Sequence, residues 1–272
     1  MKITNPSATI IDYGDMGLLE RIELAGRLCY KSEDKIAPGT AKPFVDGCLK
    51  KKHMSVLEMA MITFQYPIEY GHPISKYCAI SYFGIDIIVT CSLRVLVDSK
   101  CDFLLKQLPI GVDVGYKPST IKVTLDPEPG FTPDWKKHVH KAVRFIVDRS
   151  CSHELVRHRP IQILQESQRY VRYGDLEVIK PLYYPEGTYE YGLWLESMLH
   201  AEDTYNKLLN KSSPQAARKV LPNSTKTELI ILASIEQWEH MFKLRTSPGA
   251  DPTMREVMVP LEEEFKGRGL IC

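Results

Sequence analysis

A chain of 272 residues, 44% hydrophobic and 25% charged, is long enough to bury a full core as one large domain or as one domain with an appendage. Its net charge of +1 and pI near 7.6 carry no global basic bias, which argues against duplex nucleic acid as a partner. Seven cysteines, Cys29, Cys48, Cys78, Cys91, Cys101, Cys151 and Cys272, are odd in number and never spaced Cys-x-x-Cys. They argue for a reducing compartment and against a zinc site, so no metal is expected. No cationic leader followed by an apolar run opens the chain, and no stretch approaches the roughly eighteen apolar residues of a membrane span. A cytoplasmic protein with no membrane association is the expectation.

In chain order the pattern is mixed α and β. Leu18, Leu19, Ile22, Ala25 and Cys29 recur at helical spacing, as do Phe44 or Val45 with Cys48 and Leu49, which predicts two early helices. Ser55 with Glu58 three residues later has the form of a capping box that starts one helical turn. Met59 to Tyr66 alternates and predicts a strand. Residues 85–90 and 120–125 also predict strands, separated by a leucine-rich helical patch, and Asp126-Pro-Glu-Pro-Gly130 reads as a loop. Val139 to Val147 alternates into Asp148, an N-cap for a following helix. Thr188 to Asn210 predicts a long helix with Trp194, Met198, Ala201, Tyr205 and Leu208 on one face. Thr227 to Ala233 reads as a buried strand, after which Ser234 and Gln237 form a capping box. Asp251-Pro252 opens a last helix. A short echo links Ile87–Arg94 with Ile230–Ser234, each a strand running into a serine.

The stretch that no core would ask for is Arg157-His-Arg-Pro-Ile-Gln-Ile-Leu-Gln-Glu-Ser-Gln-Arg-Tyr170. Pro160 biases Arg159 out of the helical region, which places the first arginines where a helix opens into a loop. Guanidinium forks in such a place suit bidentate contact with a phosphate or the edge of a uracil-like ring. Cations favour a helix C-terminus for ordinary reasons, but that accounts for one or two of them and not for Ser167, Arg169 and Arg172 beyond.

Arg157-His158-Arg159, seven residues, then Ser167 resembles the signature of the flavin-dependent thymidylate synthases (ThyX), extended by Gln168-Arg169-Tyr170 and approached through Cys151-Ser-His-Glu-Leu-Val156. Three further segments are similar to that family in the same order. His53-Met-Ser55-Val-Leu-Glu58 resembles its His-x-Ser/Thr-x-x-Glu element, Ala217-Arg218-Lys-Val-Leu-Pro222 its Ala-Arg-x-Val-Leu-Pro segment, and Leu244-Arg245 its late arginine. Ala25-Gly26-Arg27-Leu28-Cys29-Tyr30 is a looser match. The resemblance covers residues 1–66 and 145–260 in outline, and residues 67–144 look like an insertion. Departures stand at Glu154, where a glutamine is usual, at Gln162, Ile163 and Leu164, at Ser234 in an asparagine position, at Ile235-Glu236, and at Gly249, where a histidine is common.

The resemblance implies an α+β fold, a mixed and largely antiparallel sheet flanked by helices, as a single catalytic domain over 1–272 with an inserted α/β segment at 67–144. It implies reductive methylation of dUMP to dTMP, with the carbon from methylenetetrahydrofolate and the hydride from FAD reduced by NADPH. It assigns Arg245 to catalysis by polarising the pyrimidine. Glu154, Arg157, Gln165, Glu166, Ser167, Gln168, Arg169, Arg218 and Arg245 would bind dUMP. Ser55, Glu58, Arg157, His158, Arg159, Gln165, Ser234 and His240 would bind FAD. The family's homotetramers, with sites shared between subunits, are expected here as well. No protein nucleophile is required, in keeping with a Ser167 that has no Ser-His-Asp partners in sequence.

A rival from another class uses the same arginines. Arg157, Arg159, Arg169 and Arg172, with Tyr170 and Tyr173 as stacking surfaces, would suit a non-redox binder of nucleotides or single-stranded RNA. A third reading, suggested by Ser234, Glu236 and Gly249, is a flavoprotein without thymidylate chemistry. A colourless protein with salt-sensitive RNA affinity would mark the rival.

Overall fold

The computed structural model describes residues 1–71, 76–108 and 121–272. The strands are β1 (Lys2–Thr4), β2 (Ser7–Ile11), β3 (Met61–Pro67), β4 (Ala79–Phe83), β5 (Asp86–Ser92), β6 (Lys122–Thr124), β7 (His140–Asp148), β8 (Gln162–Gln165), β9 (Glu177–Ile179) and β10 (Lys226–Ser234). The helices are α1 (Leu18–Cys29), α2 (Ala41–Lys50), α3 (Leu93–Asp98), α4 (Asp102–Leu105), α5 (Arg149–Leu155), α6 (Tyr189–Leu209), α7 (Pro214–Ala217), α8 (Ile235–Arg245) and α9 (Pro252–Gly267).

The expected mixed, helix-flanked and largely antiparallel architecture is present, divided among three sheets among the described residues. One is antiparallel in the order β2-β7-β10-β8, a second is antiparallel in the order β4-β5-β3-β6, and β1 pairs parallel with β9. β10 is buried along its whole length because both faces are covered. Ile230 and Leu232 pack with Ile22, Ala25 and Leu28 of α1, while Leu229, Ile231 and Ala233 pack with Trp238 of α8 and Met258, Leu261 and Phe265 of α9. A strand buried on both sides reads as a continuous apolar run, as residues 229–233 do. Trp238 is core. Its ring lies 5.4 Å from Phe265 and 5.8 Å from Phe242, and its indole N–H donates to the Lys141 carbonyl at 3.0 Å, which satisfies the polar end of a buried aromatic. Gly26 lets α2 approach α1, since a Cβ there would lie 2.6 Å from the Phe44 ring.

Several expectations shift in detail. The strand expected over 59–66 begins two residues later, at Met61. In the long helix Leu208 is exposed and Leu209 takes the core position. The strand expected over 120–125 is seen as β6, with Thr120 outside the described residues. The Ser55/Glu58 capping box does not form. Residues Met54–Glu58 make a 3₁₀ turn with no side-chain cap, because Glu58 pairs instead with Arg94 of α3. Strands β1, β2, β4, β8 and β9 were not expected; each is five residues or fewer, too short for alternation to register. The echo between Ile87–Arg94 and Ile230–Ser234 is a shared strand-to-helix junction: Ser92 caps α3 and Ser234 caps α8 by accepting from the N3 backbone.

A buried polar chain joins the second sheet to the start of β7. Ser81 Oγ donates to Asp134 Oδ2 at 2.7 Å, so at 2.6 Å it must accept from His138 Nε2. Nδ1 of the same ring is then the acceptor for Thr90 Oγ1 at 2.8 Å. This neutral tautomer agrees with a His138 pKa pushed down to about 4, chiefly by burial. His158 is likewise held at about 4, mainly by burial. Both folded values lie below the ordinary histidine value, so their contribution to stability is fully present above about pH 6.5 and is lost as pH falls towards 4, by up to about 1.4 kcal/mol per pH unit per group. Urea midpoints measured between pH 7.5 and 4.5 are expected to fall accordingly, with His138→Gln reducing the slope; a midpoint independent of pH in that window contradicts this.

Candidate active site

α5 starts where Asp148 Oδ1 accepts from the Cys151 backbone N–H at 2.7 Å, the expected N-cap. It ends at Leu155, and Arg157, His158 and Arg159 follow as the expected helix-to-loop exit. Its last turn presents Glu154 to Arg245, the final residue of α8. Arg245 pairs with the Glu154 carboxylate through Nη1, donates to the Glu154 carbonyl through Nη2 at 3.3 Å, and donates to His158 Nε2 through Nε at 3.0 Å. His158 must therefore carry its proton on Nδ1, as a neutral ring. Burial first, and then the positive charge of Arg245, hold it so. The result is a guanidinium fixed at every nitrogen, with further N–H bonds to spare.

Arg159 closes the helix end. Its Nη1 donates to the Val156 and His158 carbonyls at 2.6 and 2.7 Å, the ordinary service of a cation to orphan carbonyls, while Arg157 stays exposed. Three clefts meet this region. One of about 420 Å³ is bounded by His158, Arg159, Glu236 and His240. A second, about 490 Å³, runs between Arg159–Gln162 and Ser92, Arg94 and Lys76 of the middle segment. Gln162 lines it, although its Oε1 is buried and without a hydrogen-bond partner. A third, about 480 Å³, has Tyr30, His53, Ser55, Arg94, Arg169 and Tyr170 on its walls.

The second half of the motif is strapped to the end of α1, where the Ser167 N–H donates to the Cys29 carbonyl at 3.0 Å. Arg169 lies over the Tyr170 ring at 5.4 Å and donates to Gln215 at 3.1 Å. Cys29 thus adjoins the Arg169 cleft. Burial pushes its thiol up to about 12, so it remains protonated and unsuited to attack. Gln165 bridges Ser152 Oγ at 2.9 Å and Thr227 Oγ1 at 3.2 Å. Glu166 is buried with neither carboxylate oxygen hydrogen-bonded; Lys31 and Lys226 stand 3.6 and 3.8 Å away. Ser234 is buried, its Oγ accepting from the Gln237 N–H at 3.3 Å, and Gln168 is partly exposed.

The structure therefore brings Glu154, His158 and Arg245 together, and Ser55 with Arg169. Among the described residues no hydrogen bond or ion pair joins Arg245, Arg169 and Arg218 to one another. Charge pairing separates two kinds of arginine. Arg21, Arg27, Arg94, Arg144, Arg245 and Arg268 each have a carboxylate partner. Among the described residues Arg157, Arg159, Arg169, Arg172 and Arg218 have none, and neither do Arg149 and Arg255. Sequence reasoning missed Arg149, Arg94, and the buried cluster in which Glu228 holds Lys31, Lys226 and Arg144. No group of three or more His, Cys, Asp or Glu side chains suited to a metal occurs among the described residues. No described helix is long and apolar enough to cross a membrane.

The sequence model of the family described as thymidylate synthase complementing protein matches residues 10–69 and 136–268, which leaves residues 70–135 unmatched. The chain is 36% identical over 136 residues to a flavin-dependent thymidylate synthase of Corynebacterium efficiens, covering 44% of this chain and 54% of that protein. It is 28% identical over 210 residues to one of Mycobacterium tuberculosis, covering 62% and 84%. The chain spans about half the length of the first of these relatives. A solved structure of the UMP/dUMP methylase PolB from Streptomyces cacaoi, bound with 5-Br dUMP, aligns over 99% of this chain and 92% of its own at 14% identity and a TM-score of 0.45. With both halves of the family pattern matched across more than half of its length, the chain belongs to the thymidylate synthase complementing protein family.

Proposed function

We propose that this chain is a flavin-dependent thymidylate synthase, methylating dUMP at C5 with methylenetetrahydrofolate as carbon donor and FAD, reduced by NADPH, as hydride donor. The observation that carries the reading is the concentration of arginines without carboxylate partners in the segments matched to the family. Such groups are free to pair with an arriving anion through bidentate forks. Ser167, Gln165, Glu166, Gln168, Arg169 and Arg218 bind the phosphate and sugar of dUMP. Arg245 directs its spare N–H bonds at the pyrimidine, with Glu154 and neutral His158 fixing its orientation and Arg157 beside it. Because a guanidinium stays charged, it stabilises the negative charge that develops on the ring, a preorganised electrostatic role.

The residues fit a flavin dinucleotide. His158, Arg159 and His240 line one cleft, Glu58 and Arg159 a second and Ser55 a third, while Arg157, Gln165 and Ser234 join the set through the family resemblance. When bound, FAD carries the redox chemistry, and the protein supplies position and field. A homotetramer whose neighbours share sites is part of the proposal, carried by the family resemblance, as is a cytoplasmic location. Within the expected insertion at 67–144, residues 70–135, which the family model leaves unmatched, are proposed as an inserted lobe; residues 140–144 belong instead to β7 of the central sheet. Purified protein is expected to show a flavin visible spectrum, to oxidise NADPH faster with dUMP, and to run well above the 31.1 kDa of one chain. A colourless monomer indifferent to dUMP contradicts the proposal.

A further inference from the structure

Arg149 opens α5, five residues before Glu154, and lies outside the Arg-His-Arg motif. Its backbone N–H is shared between the carbonyls of Asn223 and Thr225 at 2.9 and 3.1 Å, which ties it to the loop that leaves the Arg218 turn. Its Nη1 donates to Thr227 Oγ1 at 3.2 Å, the same oxygen that accepts from Gln165 Nε2. The side chain is partly buried, yet no carboxylate lies within ion-pair distance among the described residues. Glu166 is not its partner, being flanked by Lys31 and Lys226 instead. A half-buried guanidinium tied to one neutral hydroxyl and the loop of a second unpaired arginine is a costly arrangement for a protein to keep. Burial lowers the Arg149 pKa, and the positive charge of Arg218 lowers it further, while Tyr173 and Glu166 offset part of this.

The placement along α5 gives the arrangement a meaning. At about 1.5 Å per residue, Arg149 and Glu154 stand roughly 7.5 Å apart along the helix axis, on the order of the distance from the phosphate of a nucleotide to its base. Arg149 and Arg218 mark one end of α5, Glu154 with Arg245 the other, and Ser152 with Gln165 lies between them.

We infer that Arg149 is a further substrate-binding residue, which with Arg218 receives the 5′-monophosphate of the nucleotide while its base lies at the Arg245 end of α5. The inference rests on the function proposed above but concerns a residue that the family pattern does not supply.

The test compares dUMP with deoxyuridine, which lacks the phosphate. In Arg149→Ala the KM for dUMP is expected to rise about 10- to 100-fold, the loss of a charge-assisted pair. Turnover of deoxyuridine is expected to change little, so the preference for the monophosphate falls by the same factor. Thermal unfolding supplies a second readout. Without ligand, Arg149→Ala unfolds no earlier than the unaltered chain, because a repulsive charge beside Arg218 has been removed, but the rise in melting temperature on adding dUMP is lost. A variant with an earlier ligand-free transition and an undiminished dUMP-dependent rise overturns the inference and leaves Arg149 a structural residue. If Arg149→Ala does not fold, Arg149→Lys decides. Charge without a fork predicts a smaller dUMP-dependent rise; an unchanged one overturns the inference. Failure of the unaltered chain to respond to dUMP at all would instead defeat the proposed function.

Discussion

Arg245→Ala is expected to lower dTMP formation by about two to three orders of magnitude, the usual loss when one preorganised donor to developing charge is removed, while the flavin spectrum is retained. The separation follows from geometry. Of the proposed flavin residues Arg245 hydrogen-bonds only His158, whereas Arg159, Glu58 and Ser55 line clefts that Arg245 does not. Glu154 is itself more than a third exposed, so water can take over its solvation and the fold should survive. Arg245→Lys keeps the charge but loses the planar fork, and is expected to recover only part of the rate. Turnover retained in the alanine variant, measured as dTMP per flavin, would remove Arg245 from the role assigned to it.

Glu228→Ala is expected to destabilise the protein by about 3–5 kcal/mol, the cost of leaving buried charges uncompensated. Glu228 is 5% exposed at its side chain and Lys226 8%. Burial alone would raise the carboxyl pKa, but hydrogen bonds from Lys226, Lys31 and Arg144 outweigh it and hold the value at about 2. Its contribution is therefore present above the ordinary glutamate value near 4.5 and is lost as pH falls towards 2. Replacement by alanine leaves Arg144 without a carboxylate, and Lys31 and Lys226 with only the more distant Glu166 at 3.6 and 3.8 Å and, for Lys226, Glu177 at 3.6 Å. Guanidinium denaturation measures the loss directly; a change below about 1 kcal/mol would show that water reaches the cluster and solvates it.

Much of this molecule is legible in the chain because the signals are local. Asp148, Thr188, Ser234 and Asp251 are caps whose side chains bond two or three residues ahead, and residues 229–233 are apolar without interruption. The Arg-His-Arg exit follows from Pro160 alone. What escaped depends on distant partners. Glu228 meets Lys31 across 197 positions, and nothing near either residue announces the other. The Ser55/Glu58 box failed for the same reason, since Arg94, 36 residues away, takes the Glu58 carboxylate. Arg149 reads as an ordinary first-turn residue until the loop from Arg218 is folded against it. The candidate site is legible as a set of residue types and spacings, and its charge balance becomes visible only when every carboxylate has been placed.

The most direct test of the account is a single-turnover reaction. The purified chain is mixed with FAD, NADPH, methylenetetrahydrofolate and dUMP, and the nucleotide product is identified by mass. The account predicts a nucleotide heavier than dUMP by one methyl group in place of hydrogen, formed only when all four components are present. Unchanged dUMP in the presence of a fully reduced, protein-bound flavin would contradict it.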